Sequence, residues 1–170
     1  INNRVHTLKQ DAGGVVWVGT QSGISYWNAA LSYFPHVSFD TEKAGVSSNI
    51  ITSFASDNNN NLYVGTWGAG LVRVSQSDSD GLNETRISKG QISENNIMSL
   101  LVDSRDNLWV GTYESGLNLR KAGESEFKVF NADQAESNKL SGFAISKILE
   151  LSSGDIAIAL YDGGVNIYSI

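Results

Sequence analysis

The chain has 170 residues, of which 41% are hydrophobic, and its formal net charge is −6. This length and composition suffice for one ordinary core, while the acidic balance argues against nucleic acid as a partner, since such surfaces need clustered Lys and Arg. The lack of cysteine excludes a disulfide scaffold, a thiolate nucleophile and a Cys-type zinc site.

Short β-type segments separated by turns run along the chain in four groups. The first group comprises RVHTLKQD (4–11), GVVWVGTQSGI (14–24), ISYWN (24–28) and SYFPHVSF (32–39). The second comprises IITSFASD (50–57), NNLYVGTWGAGL (60–71), LVRVS (71–75) and ETRIS (84–88). The third comprises IMSLLVD (97–103), DNLWVGTYESGL (106–117), LNLRK (117–121) and EFKVFN (126–131). The fourth comprises AISKILEL (144–151), GDIAIALYDGGV (154–165) and VNIYS (165–169), with no fourth strand.

The groups are copies of one unit. Their central residues Trp17, Tyr63, Trp109 and Ala157 are spaced 46, 46 and 48 residues apart, and β-rich repeats of this length are typical of propeller blades. We therefore predict an all-β fold, a β-propeller fragment of about four blades, three with four strands and one without its outer strand. Residues 1–170 would form a single partial propeller, with blades at roughly 4–43, 49–89, 96–131 and 143–170. Because propellers usually have four to eight blades, we expect either further blades in a longer protein or closure with a second copy.

The Trp-Val-Gly-Thr motif is predicted to be architectural. Alternation along a strand places Trp109 and Gly111 on one face and Val110 and Thr112 on the other, so that aromatic bulk fills the space between blades and Gly permits close approach. The same role is expected for Trp17 with Gly19 and for Tyr63 with Gly65. A second set of glycines, predicted to supply the positive φ of the following turn, consists of Gly23, Gly70, Gly116 and Gly164.

The stretches VWVGTQSGI, LYVGTWGAGL and LWVGTYESGL, with VSSNIITSFASD and ISENNIMSLLVD upstream of two of them, resemble the two-component regulator propeller repeat. The fourth unit departs from the pattern, with Ala157, Ala159 and Leu160 at the positions of Trp, Gly and Thr. The resemblance implies a periplasmic or extracellular sensor propeller of a bacterial receptor, a hybrid histidine kinase or a GGDEF diguanylate cyclase. The kinase or cyclase output domain would then lie elsewhere in the same protein.

A ligand site is predicted on the loop face, where the loop before each innermost strand meets the turn between the second and third strands. Binding function concentrates on loops held by a rigid scaffold. Trp67, Tyr113 and Tyr161 are hypothesised as stacking platforms, with Glu114 and Asp162 as hydrogen-bond acceptors for a small molecule or glycan. Gln21 occupies the equivalent position in the first unit. The alternative is that these rings only cover the hairpin and pack on the next blade.

No catalytic group, metal or cofactor is expected. The two histidines, His6 and His36, fall in different strands, and no His, Asp and nucleophilic Ser are grouped in a motif. The turn acids Asp57, Asp103 and Asp106 are interpreted as β-turn residues. Two alternatives to a non-catalytic sensor stay open: a propeller lyase or hydrolase, and a passive scaffold that binds a protein partner or forms a homodimer.

Overall fold

The computed structural model describes residues 4–28, 36–37, 50–76, 82–135 and 139–169. They form fifteen strands. The strands are β1 Val5–Gln10, β2 Val16–Thr20, β3 Gly23–Trp27, β4 His36–Val37, β5 Ile51–Ser56, β6 Leu62–Thr66, β7 Leu71–Gln76, β8 Leu82–Ile87, β9 Ile97–Val102, β10 Leu108–Thr112, β11 Leu117–Arg120, β12 Lys128–Phe130, β13 Ile145–Glu150, β14 Ile156–Leu160 and β15 Val165–Tyr168. In these ranges no helix is long and apolar enough to cross a membrane.

The strands form four antiparallel sheets in simple meander order: β1 to β4, β5 to β8, β9 to β12, and the three-stranded β13 to β15. The first strands of consecutive sheets contact one another, so they are the innermost strands and the sheets are blades 1 to 4 of a β-propeller. The predicted fold class is therefore confirmed. Of the outer strand predicted at 32–39, only His36–Val37 lies within the described residues, and Pro35 lies outside them.

Three hydrophobic cores fill the three spaces between consecutive blades, which we call seams. Trp17 packs against the core between blades 1 and 2, Tyr63 lies in the core between blades 2 and 3, and Trp109 lies in the core between blades 3 and 4. Val110, next to Trp109 on the strand, belongs to the preceding seam. The predicted alternation of faces is confirmed.

Each motif glycine lies close to an isoleucine of the next blade. A methyl group on Gly111 would lie 2.5 Å from Cγ2 of Ile145 on blade 4. On Gly19 and Gly65 it would lie 2.7 Å and 2.8 Å from the corresponding Cγ2 atoms of Ile51 and Ile97. These three isoleucines are completely buried. The glycines therefore set the spacing of the blades near the propeller axis.

The turn glycines adopt the predicted backbone. Gly23, Gly70, Gly116 and Gly164 have φ of 135°, 78°, 84° and 72°, a region that side chains other than Gly rarely adopt. The preceding threonine completes the turn in the first three blades, as at Thr112, whose hydroxyl donates to the Gly116 carbonyl at 2.8 Å. Blade 4 has Leu160 at this position and keeps only the backbone bond from Leu160 N to the Gly164 carbonyl, 2.9 Å.

Candidate functional site

The turn after each second strand and the loop before the innermost strand of the same blade lie together at one end of the blades. Trp67 N donates to the Ile50 carbonyl at 2.9 Å, Tyr113 N to the Asn96 carbonyl at 3.0 Å, and Tyr161 N to the Ala144 carbonyl at 3.0 Å. These turns and loops, taken together, are called the rim below. The VSSN loop, residues 46–49, lies outside the described residues, whereas the equivalent loop 92–95 is in the predicted place.

Three aromatic rings follow one another along the rim. The ring centroids of Trp67 and Tyr113 are 5.0 Å apart with an edge-on geometry, and those of Tyr113 and Tyr161 are 6.4 Å apart, also edge-on. Exposure increases along the row: Trp67 is half-buried, Tyr113 is 37% exposed and Tyr161 is 62% exposed. The rings therefore pack on the ring of the next blade and still present surface to solvent, most of all at blade 4.

An open cleft of about 620 Å³ lies at the blade 4 end of this row. Its lining combines Tyr113 and Glu114 from one turn, Tyr161 and Asp162 from the next, and the loop before β13 with Phe143. Phe143 is 36% exposed and was not predicted as a site residue. Among the described residues, the lining contains two carboxylates and no Lys or Arg, so the cleft repels anions and offers aromatic surface beside hydrogen-bond acceptors.

The structure brings four of the six predicted site residues into one cleft, namely Tyr113, Glu114, Tyr161 and Asp162. Trp67 supports Tyr113 from the side through the edge-on contact and does not line the cleft. Gln21 is exposed in the blade 1 turn and is likewise not part of the lining. Among the described residues no group of three or more His, Cys, Asp or Glu side chains could hold a metal ion.

The turn acids have a second role that the sequence did not reveal. Asp103 accepts from the turn amides of Arg105 and Asn107 at 3.0 Å and 2.9 Å, and its other oxygen accepts from Trp109 Nε1 at 2.8 Å. The same link joins Asp11 to Trp17 Nε1 at 2.9 Å and Asp57 to the Tyr63 hydroxyl at 3.1 Å. In blade 4 both partners are replaced, by Leu151 and Ala157. Their joint loss indicates that the acid and the ring act as one unit.

A buried amide that sequence reasoning missed holds the rim loop of blade 3. Asn118 on β11 is fully buried; its Oδ1 accepts from Ser93 N at 2.8 Å and its Nδ2 donates to Ser93 Oγ at 2.9 Å. Blade 4 repeats the arrangement, with Asn166 Oδ1 accepting from Ser141 N at 3.0 Å. An Asn at the second position of β11 and β15, inside an otherwise apolar pattern, was the available signal.

Asn118 is therefore expected to position the rim. Replacement by Leu leaves Ser93 N without its acceptor and Ser93 Oγ without its donor, and we expect a loss of about 1–3 kcal/mol in the free energy of unfolding, measured by urea titration. Backbone amide exchange at Tyr113 should also accelerate, because its acceptor Asn96 belongs to the released loop. Asn166 is only half-buried and its bond to Ser141 is exposed, so Asn166→Leu should lower the free energy of unfolding less. Equal losses for both variants, with unchanged exchange at Tyr113, would contradict this role.

Known proteins share the sequence of these repeats and their fold. The two component regulator propeller family matches residues 1–22, 45–68 and 91–114. The extracellular domains of two hybrid two component systems from B. thetaiotaomicron have the same fold: one has a TM-score of 0.75 at 21% identity over 99% of this chain, the other 0.79 at 19% identity over 99%. Virginiamycin B lyase from Staphylococcus aureus is similar over 98% of this chain and 55% of its own, with a TM-score of 0.60 at 13% identity.

This chain spans 23% and 22% of the length of the two extracellular domains. A search of curated proteins found no match. At these identities the solved structures establish the propeller fold, and the family match identifies the repeat in the first three blades. The fourth blade, with its altered motif, lies outside the matched residues.

Proposed function

This chain contains two component regulator propeller repeats, and from that premise we propose that it is the sensory, non-catalytic part of a bacterial signal-transduction receptor. The observation that carries the proposal is the cleft at the rim, where the variable turn residues of two blades converge with Phe143. The repeat supplies a rigid scaffold, and the residues that follow its Gly-Thr differ between blades, so they can specify a ligand.

The chemistry of the cleft favours a neutral, polyhydroxylated ligand such as a glycan fragment. Sugars present apolar C–H faces that stack on aromatic rings and hydroxyls that donate to carboxylates. Tyr113 and Tyr161 offer partly exposed rings, and Glu114 and Asp162 offer acceptors in the same lining. An acidic sugar would be repelled by the two carboxylates, so selectivity for neutral over anionic glycans is expected.

The receptor context is the second part of the proposal. The propeller lies on the periplasmic or extracellular side, as do the extracellular domains with the same fold, and a histidine kinase or a cyclase in the same protein supplies the output. Ligand binding at the rim then favours one arrangement of blades, or of paired chains, over another. A ligand shifts such an equilibrium only by the difference in its affinity for the two states.

Calorimetric titration with a panel of soluble neutral oligosaccharides tests the site. We expect Tyr161→Ala and Tyr113→Ala each to weaken binding about tenfold, equivalent to ~1.4 kcal/mol, because each removes one stacking surface. Uronate-containing oligosaccharides should bind more weakly than neutral ones. The matched control is Trp27→Ala, which removes an aromatic ring of similar exposure, 38% against 37% for Tyr113, at the opposite end of blade 1.

Two results would count against the proposal. Unchanged oligosaccharide binding in both folded tyrosine variants would show that these rings only pack. Turnover of the oligosaccharides, seen as new products by chromatography, would instead favour a propeller enzyme.

A further inference from the structure

The seam between blades 2 and 3 differs from the other two at the end opposite the rim. In each blade one residue of the third strand pairs with the central residue of the second strand. This residue is Tyr26 in blade 1, Leu119 in blade 3 and Ile167 in blade 4, but Arg73 in blade 2. The next residue of the same strand lies on the face towards the preceding blade. It is Trp27 in blade 1, Val74 in blade 2 and Tyr168 in blade 4, but Arg120 in blade 3. Two arginines thus replace apolar residues on the two sides of one seam.

The central ring of the same seam has also changed. Blade 2 has Tyr63 where blades 1 and 3 have Trp, and the Tyr63 hydroxyl donates to Asp57 and accepts from Arg120 Nη2 at 2.7 Å. A Trp Nε1 could donate to the acid but could not accept from the arginine. Burial, as the main cause, raises the pKa of Tyr63, so the phenol is neutral near pH 7. Three residues that differ from the repeat, Tyr63, Arg73 and Arg120, therefore lie together at this seam.

These residues line a cavity of about 250 Å³ between the blades. Arg73 Nη2 donates to Asn61 Oδ1 at 3.0 Å, and the Arg120 guanidinium lies 5.4 Å from the centre of the Tyr63 ring. Among the described residues, the hydrogen bonds of both guanidinium groups go to neutral acceptors. In the described part of the chain, Arg73 Nε is buried and has no hydrogen-bond partner. The two bonds from Nη2 use two of the ten N–H donors of the two groups.

The carboxylates of the cavity are, in contrast, already engaged. Asp57 accepts from the amides of Asn59 and Asn61, from Asn61 Nδ2 and from the Tyr63 hydroxyl. Asp106 accepts from Asn58 N at 3.0 Å. Two further lining side chains of opposite charge, Lys121 and Glu124, are exposed. The lining therefore contains three carboxylates and three cations; Asp57 and Asp106 already accept hydrogen bonds, whereas each guanidinium group makes one among the described residues.

We propose that this cavity binds a small carboxylate, held between the guanidinium groups of Arg73 and Arg120. A planar carboxylate matches the forked geometry of guanidinium donors, and charge-assisted bonds of this type are among the strongest that side chains form. The anion also supplies an acceptor within the cavity that Arg73 lines, and Arg73 Nε is the buried donor without a hydrogen-bond partner among the described residues. The site is distinct from the acidic cleft at the rim, which repels anions.

Titration of the ¹⁵N-labelled protein with sodium acetate, against sodium chloride at equal ionic strength, tests the proposal by NMR. We expect acetate to shift the Arg73 and Arg120 side-chain signals saturably, and Arg73→Leu, which installs the residue of blade 3, to weaken acetate binding at least tenfold. Tyr63→Trp, the residue of blades 1 and 3, should weaken it as well. The control Arg105→Leu removes a charge from an exposed turn at the same end of the blades and should leave binding unchanged.

Absence of a saturable acetate effect in the native protein would overturn the proposal. So would equal weakening in Arg73→Leu and Arg105→Leu, since that result would indicate only general attraction to positive charge. Tighter binding of inorganic phosphate than of acetate would overturn the assignment to carboxylates. Should Arg73→Leu fail to fold, Arg73→Lys serves instead, because it keeps the charge and removes the planar fork; its acetate affinity is expected to fall too.

Discussion

Replacing Gly116 with Ala should lower the free energy of unfolding by about 2–5 kcal/mol, measured by urea or thermal unfolding. Two costs add. A left-handed backbone, here with φ of 84°, costs a residue with a Cβ about 1–2 kcal/mol. The new methyl group would also collide with the carbonyl oxygen of Phe130 on the next strand, and overpacking of this kind typically costs about 1–3 kcal/mol.

The repeat provides a control that separates these two costs. Gly164 occupies the same turn position in blade 4 with φ of 72°, and a methyl group there would have no atom of the described residues within 4 Å. Gly164→Ala should therefore lower the free energy of unfolding only by the cost of the left-handed backbone, about 1–2 kcal/mol. If Gly116→Ala and Gly164→Ala are equally destabilised, the outer strand does not crowd the blade 3 turn, and the described packing of β11 against β12 would be wrong.

Trp109→Ala is expected to destabilise the protein by about 3–5 kcal/mol, as is usual for removing a buried aromatic side chain. Trp109 is 1% exposed, packs edge-on against Tyr168 of blade 4 at 5.2 Å, and donates to Asp103. Trp109→Phe keeps an aromatic ring and loses the donor to a buried carboxylate, so a smaller loss of about 1–3 kcal/mol is expected. Chemical denaturation of both variants measures the two contributions.

Trp27→Ala is the matched control, since Trp27 is 38% exposed; about 1 kcal/mol or less should be lost. A second control is the pair Asp103→Leu and Trp109→Ala combined, the combination found in blade 4. Since the two residues are hydrogen-bonded, the combined loss should be smaller than the sum of the single losses. Strict additivity would indicate that the acid and the ring do not act together.

Most of the fold was predictable because the same pattern of strands and turns recurs in each repeat unit. The period of Trp17, Tyr63 and Trp109 locates equivalent strands, and strand alternation then assigns Trp109 to one seam and Val110 to the other, as the structure confirms. The positive φ of Gly116 followed from its place in a tight turn. Hydrogen bonds between side chains were not predictable in the same way. The bond between Asp103 and Trp109 was not expected, because the turn already explains Asp103 and packing between blades already explains Trp109.

The candidate site was predictable in position and only partly in membership. Strand order alone places Tyr113 and Tyr161 at one end of the blades, and they do share a cleft. Phe143 could not be inferred, because it lies in a loop outside the repeated motif. No equivalent residue in another blade indicates where its side chain points. Arg73 and Arg120 were overlooked for the opposite reason: each is an ordinary polar residue in its own strand and becomes unusual only beside the equivalent strands of other blades.

The link between the turn acid and the central ring also bears on the order in which the blades fold. It joins residues six apart, as in Asp103 and Trp109, so the hairpin that it closes needs no contact with another blade. Contacts this local form early, since little chain entropy is lost in closing the loop. The hairpin β13 to β14 has Leu151 and Ala157 instead and must gain its stability by docking on Trp109 and its neighbours. Folding is therefore expected to start within blades 1 to 3 and to reach blade 4 last.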